Sequence, residues 1–331
     1  MKLLKTPMKI RNVEIPNRIV LPPMATATAR DGKVTERMLE HYSSRGGVGM
    51  AITEYSYVSR EGMSDERQLS FSREEDIEGL KRLAGVIHRN GSKAVAQINH
   101  GGGTSEPYMT GQPALLVSKD SYFQWPEPAQ EMQQADIDRI VDAYAAAARR
   151  AKAAGFDGVE LHSAHGFLLN QFYSPLTNRR TDANGGNLKN RIRIHLEMIK
   201  AIREITDDNF LLTVRLGACD YMEGGSTIAD GVEAAVEFEK AGADFLDISG
   251  GFCGFIRKGH TEPGYFSELT ETIKQSVSVP VILTGGVKDG KSAEKLLRSK
   301  KADLIGIGRS LLRDSDWARK VMESEWEDVD G

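Results

Sequence analysis

The stretch DIDRIVDAYAAAARRAKAAGFDGVELH, residues 136–162, decides the fold. Its first part carries apolar residues at Ile137, Ile140, Val141, Tyr144, Ala147, Ala148 and Ala151, the 3.6-residue spacing of an amphipathic helix. Asp136 is placed to cap the start of that helix and Gly155 to cap its end. The chain then switches to a β-rich run, Asp157 to His162. The hinge phrase recurs. Ala-Gly-Phe-Asp at 154–157 is followed by Ala-Gly-Ala-Asp at 241–244 and Lys-Lys-Ala-Asp at 300–303. Each phrase stops a helix and starts a strand.

Along the rest of the chain the same alternation predicts eight strands: Ile19–Leu21, Gly49–Tyr57, Lys93–Ile98, Asp157–His162, Leu211–Arg215, Ala243–Ser249, Pro280–Thr284 and Ala302–Ile307. Helical spacing is clearest in Glu75–Arg89, Asp136–Ala154, Asn190–Ile205, Ile228–Ala241 and Ser292–Leu297. Regular β-α alternation implies a parallel sheet with helices outside, and eight units in one chain imply an α/β fold closed as a (β/α)8 TIM barrel. An open Rossmann sheet would need Gly-x-Gly-x-x-Gly after the first strand, where none occurs. Residues 1–331 are therefore expected to form one domain. A long excursion at 101–135 follows strand three, and a second at 164–189 follows strand four. Loops of that length in a compact domain usually serve a site.

Composition narrows the function classes. The formal net charge is −4, too near neutral to draw the chain to nucleic acid or an acidic membrane surface. The N-terminus lacks the apolar core of a secretory signal, and no apolar run is long enough to span a bilayer, so a cytoplasmic protein is expected. Two cysteines, Cys219 and Cys253, are too few for a disulfide framework or an all-cysteine iron–sulfur cluster.

Glycine is the outlier, 33 of 331 residues against a usual ~7%. Ser249-Gly250 follows strand six, Gly285-Gly286 strand seven, and Gly308-Arg309 strand eight. Barrel active sites are built at the C-terminal ends of strands, and the loops after strands seven and eight are the recurrent phosphate site. Glycine lets backbone amides approach a phosphate, and Arg309 supplies a charged donor.

Polar side chains occupy the other strand ends. Gln97 offers a donor and an acceptor to a heterocycle edge, and Arg215 suits an anionic ring. His162 and His165 are spaced to polarise a carbonyl with two hydrogen bonds. His-x-x-His also chelates metals, a reading that needs a third ligand and stays open at this point.

These residues fall within a longer pattern. His162-Ser-Ala-His165-Gly-Phe167-Leu168, Asn170-Gln-Phe172, Ser174-Pro-Leu-Thr-Asn178, Arg180-Thr-Asp182, Gly185-Gly186 and Asn190-Arg191 closely resemble the signature of the old yellow enzyme family. Asn17 to Met24, Gly158 to His162, Val214-Arg215-Leu216 and Ile307 to Leu312 match as well, so the resemblance runs from about Leu4 to Arg319. It implies a tightly bound FMN and NADH or NADPH as reductant, with a small molecule carrying an activated C=C bond as substrate. Pro23, Met24 and Ala25 would run beside the flavin. Gln97 would pair with its pyrimidine side, and Arg215 would lie near N1–C2=O. Ser249, Gly250, Gly285, Gly286, Gly308 and Arg309 would hold ribityl and phosphate. His162 and His165 would bind the substrate carbonyl. A His at 165, where other members have Asn, resembles the bacterial branch related to the flavin domain of 2,4-dienoyl-CoA reductase.

Two departures matter. The family usually carries a proton-donating Tyr where this chain has Phe167, which leaves Tyr55 and Tyr173 as pocket candidates by position. Tyr55 stands where relatives have a small residue, so narrowing the pocket is its other role. Ala25 replaces a Thr or Cys that would hydrogen-bond flavin O4. The acidic tail, Glu323 to Asp330, lacks the arginine that some relatives insert into a neighbour's site, which leaves a homo-oligomer as an open assembly. Dehydrogenase or flavin-reductase chemistry without ene-reduction is the enzyme alternative, and a metal-dependent barrel hydrolase a further one.

Overall fold

A computed structural model describes residues 2–325. Eight parallel strands close on themselves. They are β1 (Ile19–Leu21), β2 (Met50–Ile52), β3 (Lys93–Asn99), β4 (Gly158–Ser163), β5 (Leu211–Cys219), β6 (Phe245–Gly250), β7 (Val281–Thr284) and β8 (Leu304–Gly306). Each pairs with its sequence neighbour, β8 pairs with β1, and β2 pairs with β3, which completes the (β/α)8 barrel. The strands are buried on both faces, as a sheet covered by helices requires.

The helices include α1 (Glu36–Ser43), α2 (Ile77–Arg89), α3 (Gln134–Ala153), α4 (Arg193–Glu204), α5 (Ile228–Ala241), α6 (Ser267–Lys274), α7 (Gly290–Arg298) and α8 (Arg309–Arg313). Asp136 does not cap α3. It occupies the third helical position, and its carboxylate accepts the Gln133 N–H at 2.9 Å in a reciprocal capping box. Gly155 follows the helix at φ +83°, a conformation glycine adopts without strain. The expected second strand is broken. Met50–Ile52 belongs to the barrel, and the chain leaves it at Thr53–Tyr55, where the Glu54 N–H donates to the Tyr42 hydroxyl at 2.8 Å. Ser56–Tyr57 then pairs separately with β3.

Because side chains alternate along a strand, residues two apart share a face. Inside the barrel, Val20, Met50, Ile52, Val95, Leu211, Phe245, Ile282 and Leu304 form an apolar floor. The antiparallel pair Met8–Ile10 and Val13–Ile15 joins this floor through Ile10, Val13 and Ile15. Two residues further along the strands the interior turns polar, with Gln97, Glu160, Thr213 and Asp247. Above them lie Asn99, His162, Arg215 and Ser249. The gradient runs toward the C-terminal ends of the strands. Among the described residues no helix is long and apolar enough to cross a membrane. The acidic tail lies outside the described residues from 326 onward.

Candidate active site

Four neighbouring strands carry the polar mouth. Strand register sets Gln97 beside Glu160, His162 beside Arg215, and Arg215 beside Asp247. Gln97 is buried and its Nε2 donates to Glu160 Oε1 at 2.9 Å. The Arg215 guanidinium lies 3.3 Å from Asp247 Oδ2 through Nε, an ion-pair distance reached without hydrogen-bond geometry.

The rings of His162 and His165 meet edge to face, 5.1 Å apart. His165 adopts φ +59°, which lets the chain turn sharply after β4 and bring both imidazoles to one side. Burial and the nearby Arg215 hold both histidines well below the ordinary imidazole range, so both are neutral at physiological pH. His162 Nδ1 is buried and unpartnered, a polar atom awaiting a ligand. His165 Nε2 is 2.8 Å from Ser249 Oγ. Ser249 is thus engaged by the histidine that the resemblance assigns to substrate, rather than standing free.

Aromatic rings flank the pair. Phe167 lies 4.9 Å from His162 between ring centres, and Tyr55 lies 5.1 Å from Phe167 and 6.5 Å from His162. Tyr55 is half-buried, and burial pushes its hydroxyl up to about 12. Across the mouth Phe123, from the excursion after β3, stacks on Phe252, from the loop after β6, at 4.5 Å. Tyr173 does not join this wall. It is fully buried and its hydroxyl donates to the Ala218 carbonyl at 2.9 Å, so the placement of Tyr173 in the substrate pocket is corrected. Its residue type and sequence distance from His162 could not show that its helical turn points it under β5.

The family signature between 164 and 191 works mainly as a bracket. Asn170 Oδ1 accepts the Gly166 N–H at 2.8 Å. Gln171 Nε2 donates to the carbonyls of Gly166 and Gly101, at 2.7 and 2.9 Å, and its Oε1 accepts from Gly103 N–H. Arg180 donates to the carbonyls of Val117 and Met132. The two excursions are therefore bonded to each other and to the turn that carries His165.

The glycines at the end of β6 and after β7 are explained partly by their own neighbours. A Cβ on Gly250 would lie 2.3 Å from Cys253 Sγ, and one on Gly285 2.7 Å from the Tyr265 ring. Gly285 and Gly286 also sit at φ +150° and +71°. Gly308 differs, since its nearest neighbours would be Met24 Sδ at 3.3 Å and Pro22 Cγ at 3.6 Å. This brings strand eight's glycine to the segment Pro23-Met24-Ala25, whose side chains are half-buried to exposed above β1. Arg309 is exposed beside it, at the start of the five-residue α8.

The donor set fits FMN. An amide (Gln97) and a guanidinium (Arg215) suit a heteroaromatic ring edge. Glycine-rich turns with Arg309 suit a phosphate, and the orphaned His162 nitrogen faces the same mouth. Among the described residues no group of three or more His, Cys, Asp or Glu is placed to hold a metal.

Sequence reasoning missed Glu160 and Asp247. The signal was present: each is a carboxylate inside an apolar parallel strand, two residues before His162 and Ser249.

A model of the NADH:flavin oxidoreductase / NADH oxidase family matches residues 3–327. A Geobacillus sp. (strain WCH70) protein named NADPH dehydrogenase is 38% identical over 95% of this chain and 92% of its own. A Thermoanaerobacter brockii protein named NADH oxidase is 36% identical over 97% of this chain. A solved structure of 2-naphthoyl-CoA reductase with 2-naphthoyl-CoA superposes with TM-score 0.91 at 27% identity over 97% of this chain. The chain spans about half the length of the last two, 51% and 52%. This chain belongs to the NADH:flavin oxidoreductase / NADH oxidase family, the FMN-binding family of the old yellow enzymes.

Proposed function

We propose that this barrel is an NAD(P)H-dependent ene-reductase that reduces the activated C=C bond of α,β-unsaturated carbonyl compounds, working as one FMN-binding unit in the cytoplasm. The observation that carries the reading is the edge-to-face pair of His162 and His165 at the barrel mouth, with the buried, unpartnered His162 Nδ1. Bound FMN would supply the hydride-transfer chemistry between NAD(P)H and the carbon β to the carbonyl. Gln97 and Arg215 hold its pyrimidine edge, Pro23, Met24 and Ala25 flank it, and Ser249, Gly250, Gly285, Gly286, Gly308 and Arg309 hold ribityl and phosphate. His162 and His165 each donate one N–H to the substrate oxygen. Those bonds strengthen as enolate charge develops on that oxygen, which is the condition for lowering the barrier. Neutral imidazoles suit this role, because they donate without bringing a competing charge.

Tyr55, Phe167, Phe123 and Phe252 wall the mouth with flat rings, which favours a planar, ring-bearing substrate. The likeness to a naphthoyl-CoA reductase supports the same preference. Partners are small molecules rather than nucleic acid, in line with the near-neutral charge. A second reading, NAD(P)H oxidation with another acceptor, draws on Phe167, which lacks the hydroxyl an alkene reduction would use for its proton.

Anaerobic stopped-flow separates them. NAD(P)H should bleach the yellow holoenzyme, and a cyclic enone should restore the colour. The double variant His162→Ala/His165→Ala should bleach as wild type does yet recolour with the enone on the order of a hundredfold more slowly. Recolouring by the enone at an unchanged rate would exclude the histidine role, and recolouring only by oxygen or quinones would favour the second reading.

A further inference from the structure

Glu160 and Asp247 lie one layer below the histidines, inside the barrel, and the proposed reaction does not use them. Both are fully buried. Glu160 Oε1 accepts from Gln97, its Oε2 has no partner, and neither Asp247 oxygen has a hydrogen bond. The groups facing Glu160 are Gln97 from β3, His162 on its own strand, Thr213 and Arg215 from β5, and Asp247 from β6. His162 is neutral and Thr213 Oγ1 donates to the Phe245 carbonyl, so the one cation among these groups is Arg215.

Two ionised carboxylates against one guanidinium would leave a net negative charge in the interior, and a like pair in such a site cannot both ionise cheaply. Asp247 is the carboxylate in ion-pair contact with Arg215, while the partner of Glu160 is an amide. The geometry thus divides their roles. We propose that Glu160 is held as a neutral carboxylic acid and that Asp247, as the anion, sets how much of the Arg215 charge is offered to the cofactor, so that the two are positioning residues for the redox potential. Burial and Asp247 push the Glu160 carboxyl up, in agreement with that division. Burial lifts Asp247 only to about 6, because Arg215 opposes the rise. The inference rests on the reading that Arg215 faces FMN. Reduction by NAD(P)H adds negative charge at that edge, which a second buried anion would oppose.

The test is the midpoint potential of the holoenzyme, measured by anaerobic dye equilibration for wild type, Asp247→Asn and Glu160→Gln. Asp247→Asn should free the Arg215 charge and raise the reduced-to-oxidised ratio at fixed dye potential about tenfold, about 30 mV for a two-electron couple. Glu160→Gln replaces one neutral group with another and should stay within about twofold of wild type. An equal rise in Glu160→Gln would mean that Glu160 is an anion, and no rise in Asp247→Asn would remove its role; either overturns the proposal. Infrared spectroscopy of wild type labelled with carboxyl-13C glutamate covers the case in which a variant fails to fold. A protonated glutamate band should persist at about pH 9, where Glu54, with its pKa of about 7, has ionised; absence of the band overturns the inference. A chain that binds no FMN would defeat the proposed function, while the infrared band would still decide the state of Glu160.

Discussion

Phe167 stands beside the histidine pair without a hydroxyl. Its ring sits 4.9 Å from His162 and 5.1 Å from Tyr55, so the nearest hydroxyl on that wall belongs to Tyr55. Burial raises that hydroxyl to about 12, which keeps it protonated and able to donate at neutral pH. Phe167→Tyr should therefore accelerate reoxidation by a cyclic enone by on the order of tenfold or more, the scale of a positioned general acid. Tyr55→Phe in the wild-type background should slow it by a similar factor and leave NAD(P)H bleaching unchanged. Rates unaffected by both changes would assign the proton to water. At this scale the sequence was informative where a side chain's type states its chemistry, as for the histidine pair. It was silent on Tyr173, because only the turn of its helix decides that its hydroxyl reaches the Ala218 carbonyl.

At the level of elements, the ends of β5 and β6 are tied by Asp220. Its Oδ1 accepts the Phe252 N–H at 2.9 Å, and its Oδ2 accepts Ser226 N–H at 2.7 Å and Ser174 Oγ at 2.6 Å. The carboxylate thus joins the loop bearing Phe252 to the family signature and to the start of α5. Asp220→Ala would leave three donors unpaired, two of them buried, with a cost of about 3–5 kcal/mol. Urea unfolding should show that loss, and the Phe252 side of the mouth should loosen, seen as faster hydrogen exchange at 251–254. Stability within about 1 kcal/mol of wild type would mean that water replaces the carboxylate. The alternation of strands and helices was legible because apolar period and the recurring Asp-ended phrase that stops a helix and starts a strand are local signals. The break at Thr53–Tyr55 was not, since it depends on Tyr42, which meets Glu54 only in the folded chain.

Across the whole molecule, the barrel separates stability from chemistry along its axis. The floor is apolar and closed from below by Ile10, Val13 and Ile15, while the titratable groups of the interior gather in the two layers above it. A sequence displays the alternation within each strand but not the register between strands, and register is what stacks Gln97, Glu160, Arg215 and Asp247 beneath one mouth. This division has a measurable consequence. Ile15 is fully buried at the far end from the histidines, so Ile15→Ala opens a cavity in the floor and should cost about 2–5 kcal/mol. The loss should appear in one cooperative unfolding transition. NAD(P)H bleaching and enone reoxidation of the folded holoenzyme should stay within about twofold of wild type, because no layer above the floor loses a partner. A comparable fall in either rate would show that the floor positions the mouth, and that stability and chemistry are not separated along the barrel.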